Sequence, residues 1–209
     1  EFGDRDHGMR FLLGYGRTIR SIGALSDTVI CCSCAVRDRL LEAGLGAPTR
    51  VVYYGIARPA VGSRARDAGP LQAALVGRFS EAKGQETAVS AVAMARRQGA
   101  DIELTLVGPE TEPGAVSRVR TLAKDLGIEK YVRVRSELVD PASVWSASHV
   151  ALMCSRDEAF GRVTVEAMKA GLPVLGASSG GTREIVFDGV NGFLFPPDDD
   201  VSLSVKLMR

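Results

Sequence analysis

Two short stretches of this chain carry side chains suited to an anionic, hydroxyl-bearing ligand. The first reads Gly77-Arg78-Phe79-Ser80-Glu81-Ala82-Lys83-Gly84. It sets two cations in a turn between an apolar run and a helical one. Amides at a helix start are unpaired and carry partial positive charge, so Arg78, Lys83 and that helix start together suit a phosphate. The turn is neither a P-loop nor a dinucleotide fingerprint. Solvated surface cations are the plainer reading of the two residues taken alone. The second stretch, Cys154 to Glu166, puts Glu158 in a loop, Gly161 at a predicted helix start and Glu166 a little over one turn in. The helix amides would take an anion, and the two carboxylates would accept hydrogen bonds from hydroxyls such as those of a sugar. The alternative is that Glu158 satisfies the helix dipole and Glu166 faces water. A third stretch, Gly176 to Glu184, holds Gly180-Gly181, which present amides or merely turn the chain; a plain turn is the reading taken here.

These loops need a frame to position them. Apolar, β-branched runs predict strands at 28–32, 50–54, 73–76, 102–107, 131–134, 150–153, 174–175 and 193–195. Helices are predicted over 7–25, 35–43, 84–98, a segment around 116–126, 141–145, 162–170 and 199–208. Ser33 caps the second of these, and glycines stop most of the others. Strands that read as continuous apolar runs, alternating with helices, predict an α/β fold with a doubly wound parallel sheet, Rossmann-like, covered on both faces. Ligands of such sheets sit beyond the carboxyl ends of the strands, where all three stretches fall. Residues 56–70, rich in Pro, Gly and charge, read as a linker. The expected division is a segment over 1–55, that linker, and a Rossmann-like domain over 71–209.

The chain has 209 residues, 45% hydrophobic and 24% charged, which excludes a disordered, collagen-like or coiled-coil protein. The net charge of +1 conceals a division: residues 56–135 carry 13 basic and 9 acidic side chains, and residues 136–209 carry 6 and 10. Cations for a phosphate therefore come from the middle of the chain and hydroxyl-binding carboxylates from its end. No basic run marks a nucleic-acid footprint. No apolar stretch approaches the roughly 20 residues of a membrane span, and Glu1–His7 lacks the apolar core of a signal peptide. The missing initial Met reads as a piece of a longer protein. Cys31, Cys32 and Cys34 crowd together and Cys154 stands alone. Without histidines at ligand spacing they read as small apolar residues in a reducing, cytoplasmic compartment, not a metal site. Asp198-Asp199-Asp200 reads as a turn and helix start, not a metal motif.

Residues 75–197 resemble the carboxy-terminal, donor-binding half of the retaining GT-B glycosyltransferases. The resemblance rests on Gly77-Arg78 with Lys83-Gly84, Leu106-Val107-Gly108, and Glu158-Ala159-Phe160-Gly161 running to Glu166-Ala167-Met168. Gly171-Leu172-Pro173-Val174, Gly180-Gly181-Thr182-Arg183-Glu184 and Asp188-Gly189-Val190-Asn191-Gly192-Phe193-Leu194 follow in order. It implies a nucleoside-diphosphate sugar as donor substrate and no cofactor or metal. Gly77 would allow close approach, and Arg78 and Lys83 would bind the diphosphate as leaving group. Glu158 would contact sugar hydroxyls, and the backbone of Phe160, Gly161 and Arg162 would face the sugar and phosphates. Glu166 would hold the ribose, and backbone near Arg135 would meet the base. Ser136-Glu137 stand where the family usually has Gly, and Tyr54-Gly55-Ile56-Ala57 where it often has Asn-Gly-Val-Asp. Ser26-Asp27-Thr28-Val29-Ile30 with Ser33 resembles the end of the amino-terminal, acceptor-binding half. Residues 1–55 are thus expected to be a remnant of that half, leaving a chain unable to transfer sugar alone. Its cut sheet would expose apolar edges to self-association. The acceptor, a sugar or a lipid-linked molecule, is left open, as is membrane-surface association. Two other classes share the architecture: a nucleotide-sugar epimerase and a non-catalytic nucleotide-sugar-binding subunit.

Overall fold

A computed structural model of the chain describes residues 14–56, 69–137 and 139–209. Among these described residues are two parallel sheets, one of two strands and one of six. The smaller sheet pairs β1 (Val29–Cys31) with β2 (Thr49–Val51), flanked by α1 (Tyr15–Ala24) and α2 (Cys34–Glu42). Ile19, Cys31, Val36 and Leu40 form its core. Ser33 caps α2, its hydroxyl accepting from the Val36 N–H, as the sequence predicts. The predicted strand over 50–54 stops at Val51: Tyr53 and Tyr54 leave the sheet to pack on Phe160. The part of the predicted first helix before residue 14 lies outside the described residues, as does most of the predicted linker.

The larger sheet has the order β5-β4-β3-β6-β7-β8. Its strands are β3 (Leu71–Val76), β4 (Ile102–Val107), β5 (Val132–Arg135), β6 (Val150–Met153), β7 (Val174–Ala177) and β8 (Gly192–Phe195). Helices α3 (Gln85–Arg97), α4 (Ala115–Asp125) and α8 (Asp200–Leu207) pack with one set of buried residues, among them Phe79, Val92, Leu104, Phe195 and Leu203. A second set, including Ala74, Trp145, Ala151, Ala167 and Val174, packs with α5 (Pro141–Ser146) and α6 (Arg162–Lys169). The four-residue helix α7 (Thr182–Ile185) was not predicted; it is too short to show a helical period. Asp199 caps α8 by accepting from the Ser202 N–H at 2.8 Å, consistent with reading the Asp run as a helix start.

From β3 the chain moves outward through β4 to β5, then returns to the far side of β3 for β6, β7 and β8. The order reverses between β3 and β6, the place where open α/β sheets bind ligands. The β3–β4 ladder runs the full six residues, but β3 pairs β6 only at Ala73↔Val150 and Ala74↔Ala151. Beyond those pairs β3 and β6 no longer pair with each other as they run on toward the 77–84 and 154–161 loops. No helix among the described residues is long and apolar enough to cross a membrane.

Candidate donor site

The site is built along that switch point. Beside it, β4 ends close against the turn after β3: Gly108 has φ +147°, and a Cβ there would lie 2.2 Å from the Gly77 oxygen. The Gly108 N–H donates to the Arg135 carbonyl at 3.0 Å, joining the end of β5 to the same corner. Lys83 lies across Gly77, its Cδ 3.8 Å from where a Cβ would stand. Its Nζ reaches Glu158 Oε2 at 2.9 Å, and the two side chains are only 18% and 23% exposed. Neither is a solvated surface charge. Glu158 in turn lies beside Gly161, whose Cβ position is 3.6 Å from Glu158 Cγ. Gly161 starts α6 with φ +97°, and no side chain caps that helix.

Gly77, Lys83, Glu158, Gly161 and the Arg135 backbone therefore form one continuous corner. Arg78 is half-buried next to Gly77, its carbonyl accepting from Gln85 Nε2 at 2.7 Å. Arg162 and Glu166 stand one turn apart on α6, 3.9 Å between charged groups, with Arg162 exposed and Glu166 half-buried. Phe160 is 6% exposed, its ring in contact with Tyr53 and Tyr54. Arg135 pairs with Glu137 at 2.9 Å at the corner's outer edge. A cavity lined by Ser80, Gln85, Ala115 and Arg118 lies between α3 and α4 and includes none of the charged groups of this corner. Among the described residues no three His, Cys, Asp or Glu side chains are placed to hold a metal ion.

Gly180-Gly181 turn the chain between β7 and α7, as the sequence predicts, and they also carry a close approach. The Gly181 N–H donates to the Glu158 carbonyl at 2.7 Å. A Cβ at Gly180 would lie 2.1 Å from the Glu158 oxygen, and one at Gly181 2.6 Å from the Phe160 oxygen. These glycines let two backbones meet, which fixes the main chain beneath the Glu158 side chain. Nothing in the local sequence distinguishes that use from a turn.

The sequence reading also gave no role to the contacts that bring the small sheet onto this loop. The Ser33 hydroxyl donates to the Ala159 carbonyl, and Arg39 pairs with Asp157. Glu184, on α7, accepts from the Cys34 N–H at 2.9 Å, the Ala35 N–H at 2.8 Å and the Tyr53 hydroxyl at 2.8 Å. Burial pushes the Glu184 carboxyl up, but these hydrogen bonds together outweigh it and hold it below its ordinary value. Donation to the Glu184 carboxylate raises the Tyr53 phenol, because ionising the phenol would break that hydrogen bond.

The family model described as Glycosyl transferases group 1 matches residues 62–209. The chain belongs to this family. A relative, the D-inositol 3-phosphate glycosyltransferase of Corynebacterium kroppenstedtii, is 34% identical over 140 residues, covering 64% of this chain and 31% of that protein. The glycogen synthase of Mycobacterium tuberculosis is 29% identical over 186 residues, covering 87% of this chain and 45% of that one. Among solved structures, Anabaena HepE in complex with UDP and glucose aligns with a TM-score of 0.82 and 26% identity, over 94% of this chain and 57% of that one. The chain spans less than half the length of these curated relatives. The HepE likeness, unlike the family model, extends into the two-stranded sheet, since 94% of the chain cannot fit within residues 62–209.

Proposed function

We propose that this chain is the donor-binding part of a retaining glycosyltransferase of the hexosyltransferase type. It would move a sugar from a nucleoside-diphosphate sugar to an acceptor with retention of anomeric configuration. The observation that carries the reading is the corner at the switch point. The Lys83 ammonium, an uncapped helix start and a carboxylate converge there, in a fold shared with a protein solved with UDP and glucose. Breaking the sugar–phosphate bond leaves negative charge on the diphosphate. Arg78, Lys83 and the amides at Phe160, Gly161 and Arg162 would stabilise that charge, and preorganised donors do so without reorganisation at the moment of reaction. They would do so without a metal ion. Glu158 would accept from donor-sugar hydroxyls and Glu166 from the ribose. The backbone at Arg135 would meet the base, and Gly77 would let the phosphates approach.

On this reading residues 1–55 belong to the acceptor-side domain of a longer protein, and the donor-binding domain begins near residue 71. The acceptor is a sugar or a lipid-linked molecule, and the protein works in the cytoplasm or at a membrane surface. Leu25 and Ile30, 89% and 70% exposed on the small unit, are the residues through which copies of this chain would self-associate.

Titration of the full chain with UDP, GDP and ADP by ligand-observed NMR tests the site. Saturable binding of one nucleotide is expected, lost in Arg78→Ala and Glu166→Ala. A folded chain that binds none of the three at millimolar concentration overturns the reading.

A further inference from the structure

Lys83 and Glu158 have separate duties in the proposed site, one toward phosphate and one toward sugar hydroxyls, yet they touch each other. Nζ and Oε2 are 2.9 Å apart, with both side chains more than three-quarters buried. Glu158 cannot easily withdraw. Its carbonyl accepts from the Gly181 N–H at 2.7 Å, and Gly180 approaches the same oxygen so closely that a Cβ would clash. Its side chain also lies against Gly161, at the start of α6. A carboxylate thus stands between the two cationic elements meant for the diphosphate.

We propose that Glu158 is an internal competitor for the phosphate cation, making the site prefer the sugar-bearing donor to the free nucleoside diphosphate. The inference rests on the donor-site reading above. With a nucleotide sugar bound, hydroxyl donors satisfy the Glu158 carboxylate. With the free diphosphate those donors are gone, and the carboxylate faces the phosphate across Lys83. The free diphosphate also carries more charge, because its terminal phosphate, no longer esterified by sugar, ionises a second time near pH 6. Like charges sharing one partly buried cation repel more strongly than they would in water. Glu158 therefore costs the product more affinity than the donor and hastens departure of the leaving group, a step that limits turnover in many enzymes.

The decisive variant is Glu158→Gln, which keeps size and hydrogen-bonding capacity but removes the charge. Wild type, Glu158→Gln, Lys83→Met and the double variant are titrated calorimetrically with UDP, GDP and ADP and with UDP-glucose, GDP-mannose and ADP-glucose. Glu158→Gln is expected to bind the preferred free diphosphate about three- to tenfold more tightly, the scale of one partly exposed charge contact. Its preference for the sugar-bearing form falls. Lys83→Met weakens diphosphate binding, and in that background Glu158→Gln still tightens it, because carboxylate and phosphate then repel with no cation between them. A purely structural role for Glu158 would weaken binding or leave it unchanged, never tighten it. Unchanged or weaker diphosphate binding in Glu158→Gln, with wild type binding normally, overturns the inference while leaving the donor site standing. If wild type binds none of the six, the donor-site reading itself fails and this inference with it. Should Lys83→Met fail to fold, the sign of the Glu158→Gln effect alone still decides.

Discussion

In the six-stranded unit Phe79, Val92 and Leu104 are fully buried between sheet and helices, whereas in the two-stranded unit Ile30, at the centre of β1, is 70% exposed. The first unit closes over its own core. The second covers one face of its sheet with α1 and α2. Toward its larger neighbour it offers mainly polar groups, and these converge on one loop and one helix: Ser33 on Ala159, Arg39 on Asp157, and the α2 amides on Glu184. Tyr53 and Tyr54 against Phe160 are the aromatic exception. The loop so gripped is the one that carries Glu158. A dry core fixes the fold of the larger unit. Directional hydrogen bonds fix where the smaller one sits, so position and stability respond to different substitutions.

The sharpest way to break this comparison is a matched pair of truncations. Phe79→Ala is expected to cost about 3–5 kcal/mol in urea unfolding, because the ring is fully buried and leaves a cavity. Ile30→Ala is expected to change stability by less than about 0.5 kcal/mol, as for an ordinary surface site. Equal costs would mean that Ile30 is covered in solution and that the two units are not so unlike. Glu184→Gln comes next. It replaces a carboxylate that accepts three hydrogen bonds, each charge-assisted bond being worth about 1.5–3 kcal/mol when buried and less at a half-exposed site. Faster amide exchange is expected at Cys34 and Ala35. The effect has a defined pH sense. The folded value of Glu184 is lowered, so its contribution is complete above the unfolded value near 4.3 and disappears as pH falls through the folded one. Wild type and Glu184→Gln should therefore differ at pH 6 and converge in strong acid; a gap independent of pH would mean that the charge is not what matters. An effect smaller than that of Glu184→Gln is expected of Ser33→Ala. Loss of the α2 cap costs about 1 kcal/mol, and the contact with Ala159 goes with it. Thermal melting measures the first, and amide exchange within residues 157–161 reads the second.

Much of the larger unit was legible from its apolar positions: β6 is the apolar run 150–153, and β4 falls on 102–107, where Glu103 and Thr105 alternate with apolar residues. The order of the strands was not legible, since nothing local says that β6 returns to the other side of β3. The residues of the candidate site were found by type and by resemblance. Their pairing was not, because Lys83 and Glu158 are 75 positions apart and each reads sensibly alone. At Gly180-Gly181 only the turn was legible, for the same reason: a close approach between distant backbones leaves no further mark on the local sequence. Tyr53 and Tyr54 continue the β pattern of Val51, but both rings pack on Phe160 and the Tyr53 hydroxyl donates to Glu184, contacts that nothing local announces.

The four free cysteines divide between the two units, Cys31, Cys32 and Cys34 in the smaller and Cys154 beneath the loop that bears Glu158. Burial pushes the Cys154 thiol far above its usual range, and burial likewise raises Cys31 and Cys32. Only thiolates react readily with alkylating reagents, so modification of Cys31 or Cys154 waits on the opening of its own surroundings. The chain thus holds two built-in chemical clocks, one for each unit, that report separately how often each comes apart.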